Sequence, residues 1–223
     1  MPPSPHYAMP ASACPEPLLA QKASPLLGSA PANLVAADAL AQSGFATRPE
    51  LGQHFLRSQR AARHLVESAE LPPDAQVVEI GAGLGTLSAT VAESGCRIWA
   101  VEKDVRLGAI LQQSLHRFGP RARIAMTDIR KVSLADGLEP GSVLLSILPF
   151  DWELSATLLL HVFSATAKVE RGLVVVPGRT LDYFDAGGTG TGGLRLSEVD
   201  GISRAEFWPK ASEPLRVVTV GRF

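Results

Sequence analysis

Five short apolar segments that alternate with helix-like segments constrain the fold of this 223-residue chain more than any other feature. They read AQVVEIGAG, CRIWAVEKD, ARIAMTDIRKV, GSVLLSILPF and RGLVVVPG, with a repeat of about 25 residues. Strands that alternate with helices are joined by right-handed crossovers and form a mostly parallel sheet. Near-continuous apolar runs are typical of strands covered on both faces. The sequence therefore predicts an α/β fold with a doubly wound, mostly parallel sheet.

Segments on either side extend this predicted sheet. The run from Ser58 to Glu70 has apolar residues at helical spacing, with Ser58 as its predicted N-cap. The Gly- and Thr-rich run from Asp185 to Gly193 predicts a loop, interpreted equally as a substrate lid or a tolerated insertion. Leu215 to Val220 predicts a last strand, paired antiparallel at the far side of the sheet. No C-terminal helical domain is expected.

The first 45 residues differ in composition from the remainder. They are rich in Pro and Ala and contain only three charged residues, Glu16, Lys22 and Asp38. This composition predicts a flexible leader, although the stretch ANLVAADALAQSGFA is also compatible with a short helix that docks on the body. We therefore divide the chain into a leader, residues 1–45, and a single catalytic domain, residues 46–223.

Composition excludes several function classes. The two cysteines, Cys14 and Cys96, are far apart, so neither a disulfide framework nor a Cys-based metal site is expected. The chain is expected in a reducing, cytoplasmic compartment, and no apolar run is long enough to cross a membrane. Net charge is -1, and basic and acidic residues are equal in number outside the leader. That balance does not favour a nucleic-acid-binding face.

A glycine-rich turn follows the first predicted strand and precedes a helix. In EIGAGLG, Gly81 and Gly83 let the backbone approach a ligand closely, and Glu102 follows at the end of the next strand. A carboxylate at that position accepts hydrogen bonds from ribose hydroxyls. Dinucleotide enzymes prefer the spacing G-x-G-x-x-G, whereas G-x-G-x-G preceded by Glu79 is typical of S-adenosylmethionine binding. We therefore predict S-adenosylmethionine as the cofactor.

Two further strand ends complete the predicted cofactor site. Lys103 lies directly after Glu102, and Asp128 ends the third strand in the stretch MTDI. The Asp128 carboxylate is placed to accept a hydrogen bond from the adenine amino group, with Ile129 beside it. No metal is expected.

With these motifs in view, the chain resembles the ribosomal RNA adenine N6-dimethyltransferases of the KsgA/Erm type. The match runs over about 55 residues from LGQHFLRSQRAARHL to VEKD, and GQHFL, Gly52 to Leu56, is specific to that group within the wider methyltransferase fold. The resemblance implies a class I, Rossmann-like methyltransferase domain. It also implies a cofactor site bordered by Gln53, His54, Leu56, Glu79, Gly81, Gly83, Glu102, Lys103, Asp128 and Ile129.

The acceptor motif departs from the family pattern. The family carries N-L/I-P-Y/F, whose Asn and neighbouring carbonyl accept hydrogen bonds from the target amine while the aromatic ring stacks on the base. The aligned residues here are Ile147, Leu148, Pro149 and Phe150, and Ile147 can accept no hydrogen bond. The candidate acceptor-site residues are therefore Ser146, Leu148, Pro149, Phe150 and Asp151.

Two of those acceptor-site candidates have competing interpretations. Alternation along the strand points Ser146 away from the side that Ile147 faces. Asp151 is interpreted equally as a general base and as the N-cap of the following helix.

Three functions remain open from the sequence. The first is methylation of a diverged, non-ribosomal acceptor such as a small molecule, which Ile147 and the neutral charge favour. The second is methylation of an adenine in ribosomal RNA, and the third is a catalytically inactive scaffold that binds cofactor or RNA. A basic helix face with Arg57, Arg60 and Arg63, near His54 and His64, is either solvated or an RNA contact. The oligomeric state is not determined.

Overall fold

The computed structural model describes residues 36–187 and 190–222, which contain nine strands and seven α-helices. The strands are β1 (Phe55–Leu56), β2 (Gln76–Ile80), β3 (Arg97–Glu102), β4 (Ala122–Met126), β5 (Ser142–Ile147), β6 (Val169–Pro177), β7 (Leu194–Ile202), β8 (Phe207–Trp208) and β9 (Leu215–Arg222). The helices are α1 (Ala36–Gln42), α2 (Gln59–Ser68), α3 (Thr86–Glu93), α4 (Gly108–Leu115), α5 (Leu134–Gly137), α6 (Trp152–Ala165) and α7 (Gly178–Asp185).

One seven-stranded sheet runs through the described body in the order β4-β3-β2-β5-β6-β9-β7. The first four neighbouring pairs are parallel, and β9 pairs antiparallel with both β6 and β7. This confirms the predicted α/β, mostly parallel fold with an antiparallel C-terminal strand. The strand order reverses between β2 and β5, because β3 lies on one side of β2 and β5 on the other. In open α/β sheets, ligands bind at such a reversal, beyond the carboxyl ends of the strands.

Helices cover both faces of the sheet, which explains the apolar character of the strands. Val77 and Leu145 point into the core cluster shared with α2, α3 and α4. Val78 and Leu144 point into the opposite cluster, shared with α5, α6 and α7. Neighbouring positions on one strand therefore serve two separate cores, as the period of two along a strand requires.

The C-terminal part differs from the prediction. The last strand, β9, was predicted at the far side of the sheet, but it lies inside, between β6 and β7. The edge strand β7 was not predicted, because its sequence LRLSEVDGI is largely polar and only Leu194 and Leu196 are buried. The short helix α7 was not predicted either. Of the predicted loop Asp185–Gly193, residues 188 and 189 lie outside the described ranges.

The helix α1 docks on the body within the segment that the sequence separates as a leader. Ala37 and Leu40 are buried against Phe55, Leu84 and other residues of a small third cluster. Residues 1–35 of the proposed leader lie outside the described part of the chain, so its boundary at residue 45 stays a prediction. Among the described residues, no helix is long and apolar enough to cross a membrane, and no cluster of metal-ligating side chains occurs.

Candidate functional site

A cavity of about 340 Å³ opens at the carboxyl ends of β2 to β5, where the strand order reverses. It is of the size typical of small-molecule sites. Its wall contains most of the residues predicted from the sequence: Gln53, His54, Leu56, Glu79, Gly81, Gly83, Glu102, Lys103, Asp128, Ile129, Leu148 and Pro149. Ser146, Phe150 and Asp151 are not part of this wall.

The glycine turn leaves open space over the end of β2. Gly81 and Gly83 both have positive φ angles, +72° and +57°, a conformation that glycine adopts without steric cost. A Cβ atom at Gly81 would come no nearer than 4.0 Å to its closest neighbour, the carbonyl oxygen of Ile147. The backbone at Gly81 is therefore accessible to a ligand in the cavity, whereas Gly83 packs against the Phe55 ring.

Glu102 is held rigidly at the end of β3. Its Oε2 accepts a hydrogen bond from the backbone N–H of Gly83 at 2.8 Å, and its Oε1 accepts one from Asp104 N at 2.7 Å. Burial raises the pKa of Glu102, and the two backbone N–H groups oppose that rise. Each carboxylate oxygen keeps a second lone pair, so the group can still accept hydrogen bonds from two adjacent hydroxyls.

Asp128 follows the end of β4, the strand next to β3, and lies within an ion-pair network. Arg130 binds it with two hydrogen bonds, Nε to Oδ1 at 2.9 Å and Nη2 to Oδ2 at 2.6 Å, and Lys103 Nζ lies 3.1 Å from Oδ2. Arg130, above all, holds the pKa of Asp128 well below its usual range. Asp128 is therefore a fixed, ionised acceptor beside the buried Ile129. Arg130 was not predicted, because its role depends on side-chain geometry rather than on a motif.

Glu79 is a buried acid without a cationic partner among the described residues. It is 3% exposed, and its Oε2 accepts a hydrogen bond from Ser88 Oγ. Burial raises the pKa of Glu79 to about 8; the Ser88 hydroxyl opposes the rise and Glu102 adds to it. At neutral pH this side chain is therefore mostly protonated in the unliganded protein, and a positive ligand group beside it would favour ionisation.

Gln53 anchors the segment that precedes β1 to the end of β3. Its Nε2 donates to Asp104 Oδ2 at 2.7 Å, and its Oε1 accepts from the backbone N–H of Arg48 at 2.8 Å. Asp104 in turn pairs with Arg106. Both ends of the Gln53 amide are thus engaged within the protein, so its contribution to the cavity is to hold this segment over the cavity.

The same segment packs directly on the predicted acceptor wall. Gly52 has a φ of +58°, and a Cβ atom there would lie 2.7 Å from Pro149 Cβ and 2.9 Å from Phe150 N. The Phe150 amide donates to the Gly52 carbonyl at 3.3 Å. The segment before β1 and the residues that follow β5 are therefore joined by a backbone approach that only glycine permits.

His54 covers the aromatic ring of Phe150. The two rings stack with centroids 4.5 Å apart, and the Phe207 ring contacts Phe150 edge-on at 4.9 Å. Nδ1 of His54 lies 2.5 Å from the carbonyl oxygen of Pro209. Burial lowers the pKa of His54, which the Pro209 carbonyl opposes. His54 lines the cavity, whereas Phe150 does not, and the role of Phe150 as a stacking surface for a base stays a prediction.

The polar side chains predicted for the acceptor wall, Ser146 and Asp151, form hydrogen bonds within the protein. Ser146 is buried. Its Oγ donates a hydrogen bond to Ile80 O at 2.6 Å and accepts one from Ile80 N at 3.3 Å. The Ser146 hydroxyl therefore joins β5 to β2 and is not available to the substrate that accepts the methyl group. Asp151 Oδ1 accepts from Leu154 N at 2.8 Å and caps α6, as its second interpretation proposed. Ile147 does line the cavity and supplies no polar side-chain atom.

The basic face of α2 is only partly free. Arg57 pairs with Asp38 at 2.7 Å, and His64 Nε2 lies 2.7 Å from Asp200 Oδ2. Arg60 and Arg63 line a second, more open groove beside β7, together with acidic residues. The groove is therefore of mixed charge and not a continuous basic surface.

Comparison with known sequences identifies close relatives. A family model described as ribosomal RNA adenine dimethylase matches residues 44–181. A protein named ribosomal RNA small subunit methyltransferase A from Corynebacterium glutamicum is 32% identical over 174 residues, which is 72% of this chain and 59% of that protein. The chain thus spans about three fifths of the length of that relative.

Solved structures with similar folds include enzymes that act on RNA. The 23S rRNA methyltransferase ErmE superposes with a TM-score of 0.59 and 21% identity, covering 76% of this chain and 70% of that one. A dimethyladenosine transferase from Plasmodium falciparum gives a TM-score of 0.61 and 15% identity, covering 75% of this chain and 62% of that one. At these identities the likeness concerns the fold.

Proposed function

Because the chain belongs to the ribosomal RNA adenine dimethylase family, a family of S-adenosylmethionine-dependent methyltransferases, we propose that it transfers a methyl group from that cofactor to a nitrogen acceptor. The observation that carries the proposal is the position of Glu102. Its two oxygens are fixed by Gly83 and Asp104 at the carboxyl end of β3, beside the reversal in strand order. A carboxylate fixed in this way is suited to a ribose diol.

The other residues of the cavity fit the remaining parts of the cofactor. Asp128 is an ionised acceptor for the adenine amino group, and Ile129 offers an apolar surface beside the ring. The open backbone of Gly81 leaves room for the methionine portion. The buried Glu79 faces that portion, and a carboxylate there would stabilise its positive charge. The cofactor supplies an activated methyl group; the protein holds it and the acceptor in line.

An adenine amino group of RNA is the acceptor that we propose first. The support is the family itself, together with relatives whose names specify ribosomal RNA as substrate. The chain spans only part of those relatives, and its basic face on α2 is partly neutralised by Asp38 and Asp200. The RNA target therefore depends on the family and not on a basic surface.

A small-molecule acceptor is the second candidate, favoured by one observation. Ile147 lines the cavity where family members carry an acceptor Asn, so the side chain at this position cannot hold an amino group. An amine left unpaired in a dry site costs about 1–3 kcal/mol. The ordered arrangement of Glu102 and Asp128 argues against a loss of cofactor binding.

Methyl transfer from radiolabelled S-adenosylmethionine distinguishes these candidates. The protein is incubated with unmodified small ribosomal subunits or with a metabolite extract, and the labelled fraction is analysed. Label in an RNA adenine supports the first candidate, and label in a small molecule supports the second. Glu102→Ala should abolish labelling in either case, whereas the surface variant Glu139→Ala, which removes an exposed ion pair with Arg97, should not. Absence of label from both fractions with the wild-type protein would contradict catalysis.

A further inference from the structure

A tryptophan lies at the start of α6, just after the acceptor wall. Trp152 is the first residue of α6 and comes shortly after Pro149, which lines the cavity. The hydroxyl of Ser155, in the first turn of the helix, donates to the Pro149 carbonyl at 2.6 Å and ties α6 to that wall. Trp152 itself is half-buried and does not line the cavity. It therefore lies beside the acceptor end of the cavity and is partly accessible to solvent.

Two residues of α7 contact the Trp152 ring. The guanidinium carbon of Arg179 lies 5.7 Å from the ring centroid, and the Tyr183 ring is 5.8 Å away at an interplanar angle of 47°. Arg179 and Tyr183 are one helical turn apart, so they lie on one face of α7. The Tyr183 ring packs edge-on against the buried Phe184 at 5.2 Å, which anchors the group to the core. Trp152, Arg179 and Tyr183 are called the Trp152 cluster below.

The Arg179 cation has no carboxylate partner among the residues that the structure describes. Its side chain is exposed, and its contact with Trp152 is near the limit of about 6 Å for a cation–π interaction. Glu153 and Asp182 are exposed and close to the cluster in sequence, but neither forms an ion pair with Arg179. A free guanidinium binds phosphate through paired N–H donors. The cluster thus combines an aromatic ring with an available cation, the two groups that bind nucleotides of single-stranded RNA.

The topology places this cluster on the side of the acceptor wall that faces away from the cofactor residues. Glu102 and Asp128 lie at the ends of β3 and β4, on one side of β5. The parallel strand β6 lies on the other side of β5, and α7 begins directly after it, at the same edge of the sheet. With the cofactor over β2 to β4, a substrate whose reacting group is at the end of β5 extends over the end of β6, where α7 begins.

We infer that the Trp152 cluster binds the nucleotide next to the methylated one in a single-stranded segment of RNA. The base stacks on the Trp152 ring, and the Arg179 guanidinium moves from that ring to the phosphate. This inference rests on the proposed transfer to an RNA adenine. It supplies a local RNA contact in a protein whose α2 groove is of mixed charge. A small amine that has neither a base nor a phosphate would leave the cluster unused.

Titration with a short single-stranded oligoadenylate tests the stack. The base should quench the fluorescence of Trp152 in the wild-type protein. Trp152→Leu keeps an apolar side chain but removes the ring, so it should abolish the quenching and raise the Kd, measured by calorimetry, by about 5–100-fold, as expected for one base–aromatic stack. Trp152→Phe keeps a ring and should restore part of the affinity. An abasic strand of the same length should bind more weakly and without quenching.

The salt dependence of the same Kd tests the phosphate contact. Arg179→Ala should lower the slope of log Kd against log salt concentration by about 0.7, the contribution of one phosphate contact in a single strand. Arg121→Ala is the matched control, because Arg121 is exposed, has no ion pair with a described carboxylate and lies before β4, at the amino ends of the parallel strands. Phe118→Leu is the control for Trp152→Leu, because Arg117 also lies over the half-buried Phe118 ring, at 4.7 Å. Both controls should keep the wild-type Kd and slope.

A purely structural role for Trp152 predicts different results. Absence of quenching in the wild type, quenching that persists in Trp152→Leu, or a Kd that is unchanged in both Trp152→Leu and Arg179→Ala would overturn the inference. Equal affinity for the abasic and adenine-bearing strands would overturn it as well, since charge alone would then explain binding.

The labelling assay on small ribosomal subunits separates this inference from the proposed function. Trp152→Leu should raise KM more than it lowers kcat, and the Kd for S-adenosylmethionine should not change. A lower kcat with unchanged KM, or a loss of cofactor affinity that accounts for the loss of rate, would overturn the inference. Unlabelled subunits with the wild-type protein would contradict the proposed methyl transfer, whereas quenching by oligoadenylate would still support the nucleotide site.

Discussion

Replacing Gly52 with alanine tests whether the GQHFL segment and the acceptor wall are rigidly joined. The new Cβ would lie 2.7 Å from Pro149 Cβ and 2.9 Å from Phe150 N, closer than real Cβ contacts allow. The φ of +58° adds strain, because an L-residue is disfavoured in the left-handed region. The substitution therefore imposes both a backbone cost and a packing cost.

Gly141→Ala separates these two costs. Gly141 also has a positive φ, +82°, but a Cβ there would meet no atom within 4 Å. The backbone cost alone is about 1–2 kcal/mol. Overpacking adds about 1–3 kcal/mol, so Gly52→Ala should cost about 2–5 kcal/mol in total. The difference between the two variants measures the close approach.

The free energy of unfolding is measured by urea denaturation, and hydrogen exchange of the Phe150 amide measures local release of the segment. That amide donates to the Gly52 carbonyl, so it reports directly on the contact. We expect Gly52→Ala to lower the free energy of global unfolding, or the free energy of local opening at the Phe150 amide, by much more than Gly141→Ala does. Equal losses in both variants by both measurements would refute the account of this contact.

Two further substitutions test buried polar groups. Ser146→Ala should lower the free energy of unfolding in urea by about 1–3 kcal/mol, because the backbone groups of Ile80 lose their partner. A loss no larger than that of the exposed control Ser164→Ala would show that the bonds between Ser146 and Ile80 do not stabilise the fold. Glu79 has an ordinary pKa of 4.5 and a folded pKa of about 8, so its contribution to stability is present below pH 4.5 and is lost as pH rises through 8. Glu79→Gln should flatten this decline in a series of urea denaturations over pH, and an unchanged decline would place its origin elsewhere.

The sequence predicts the parallel half of the sheet because most residues of β2, β3 and β5 are apolar and buried. The edge strand β7 escapes prediction because most of its side chains face solvent. The helix α7 begins directly after Pro177, at Gly178, and is too short to show a clear helical period. The inner position of β9 depends on β7 pairing outside it, so it could not be inferred without that strand.

The residues of the candidate site were predictable where they belong to local motifs and not where they depend on contacts between distant segments. Gly81, Gly83, Glu102 and Asp128 follow strand ends within local motifs, and the structure brings all of them to one cavity. The stack of His54 on Phe150 joins segments far apart in sequence, so no local pattern reveals it. Asp151 shows the limit of residue type alone, since a carboxylate after a strand serves equally as an acid, a base or a helix cap.

Calorimetric titration of S-adenosylmethionine into the protein tests the central claim, that this cavity is a cofactor site organised by Glu102, most directly. We predict saturable binding at one site in the wild type and in Glu139→Ala, and no detectable binding in Glu102→Ala of unchanged fold. Absence of binding by the wild type, or equal affinity in Glu102→Ala, would contradict the claim.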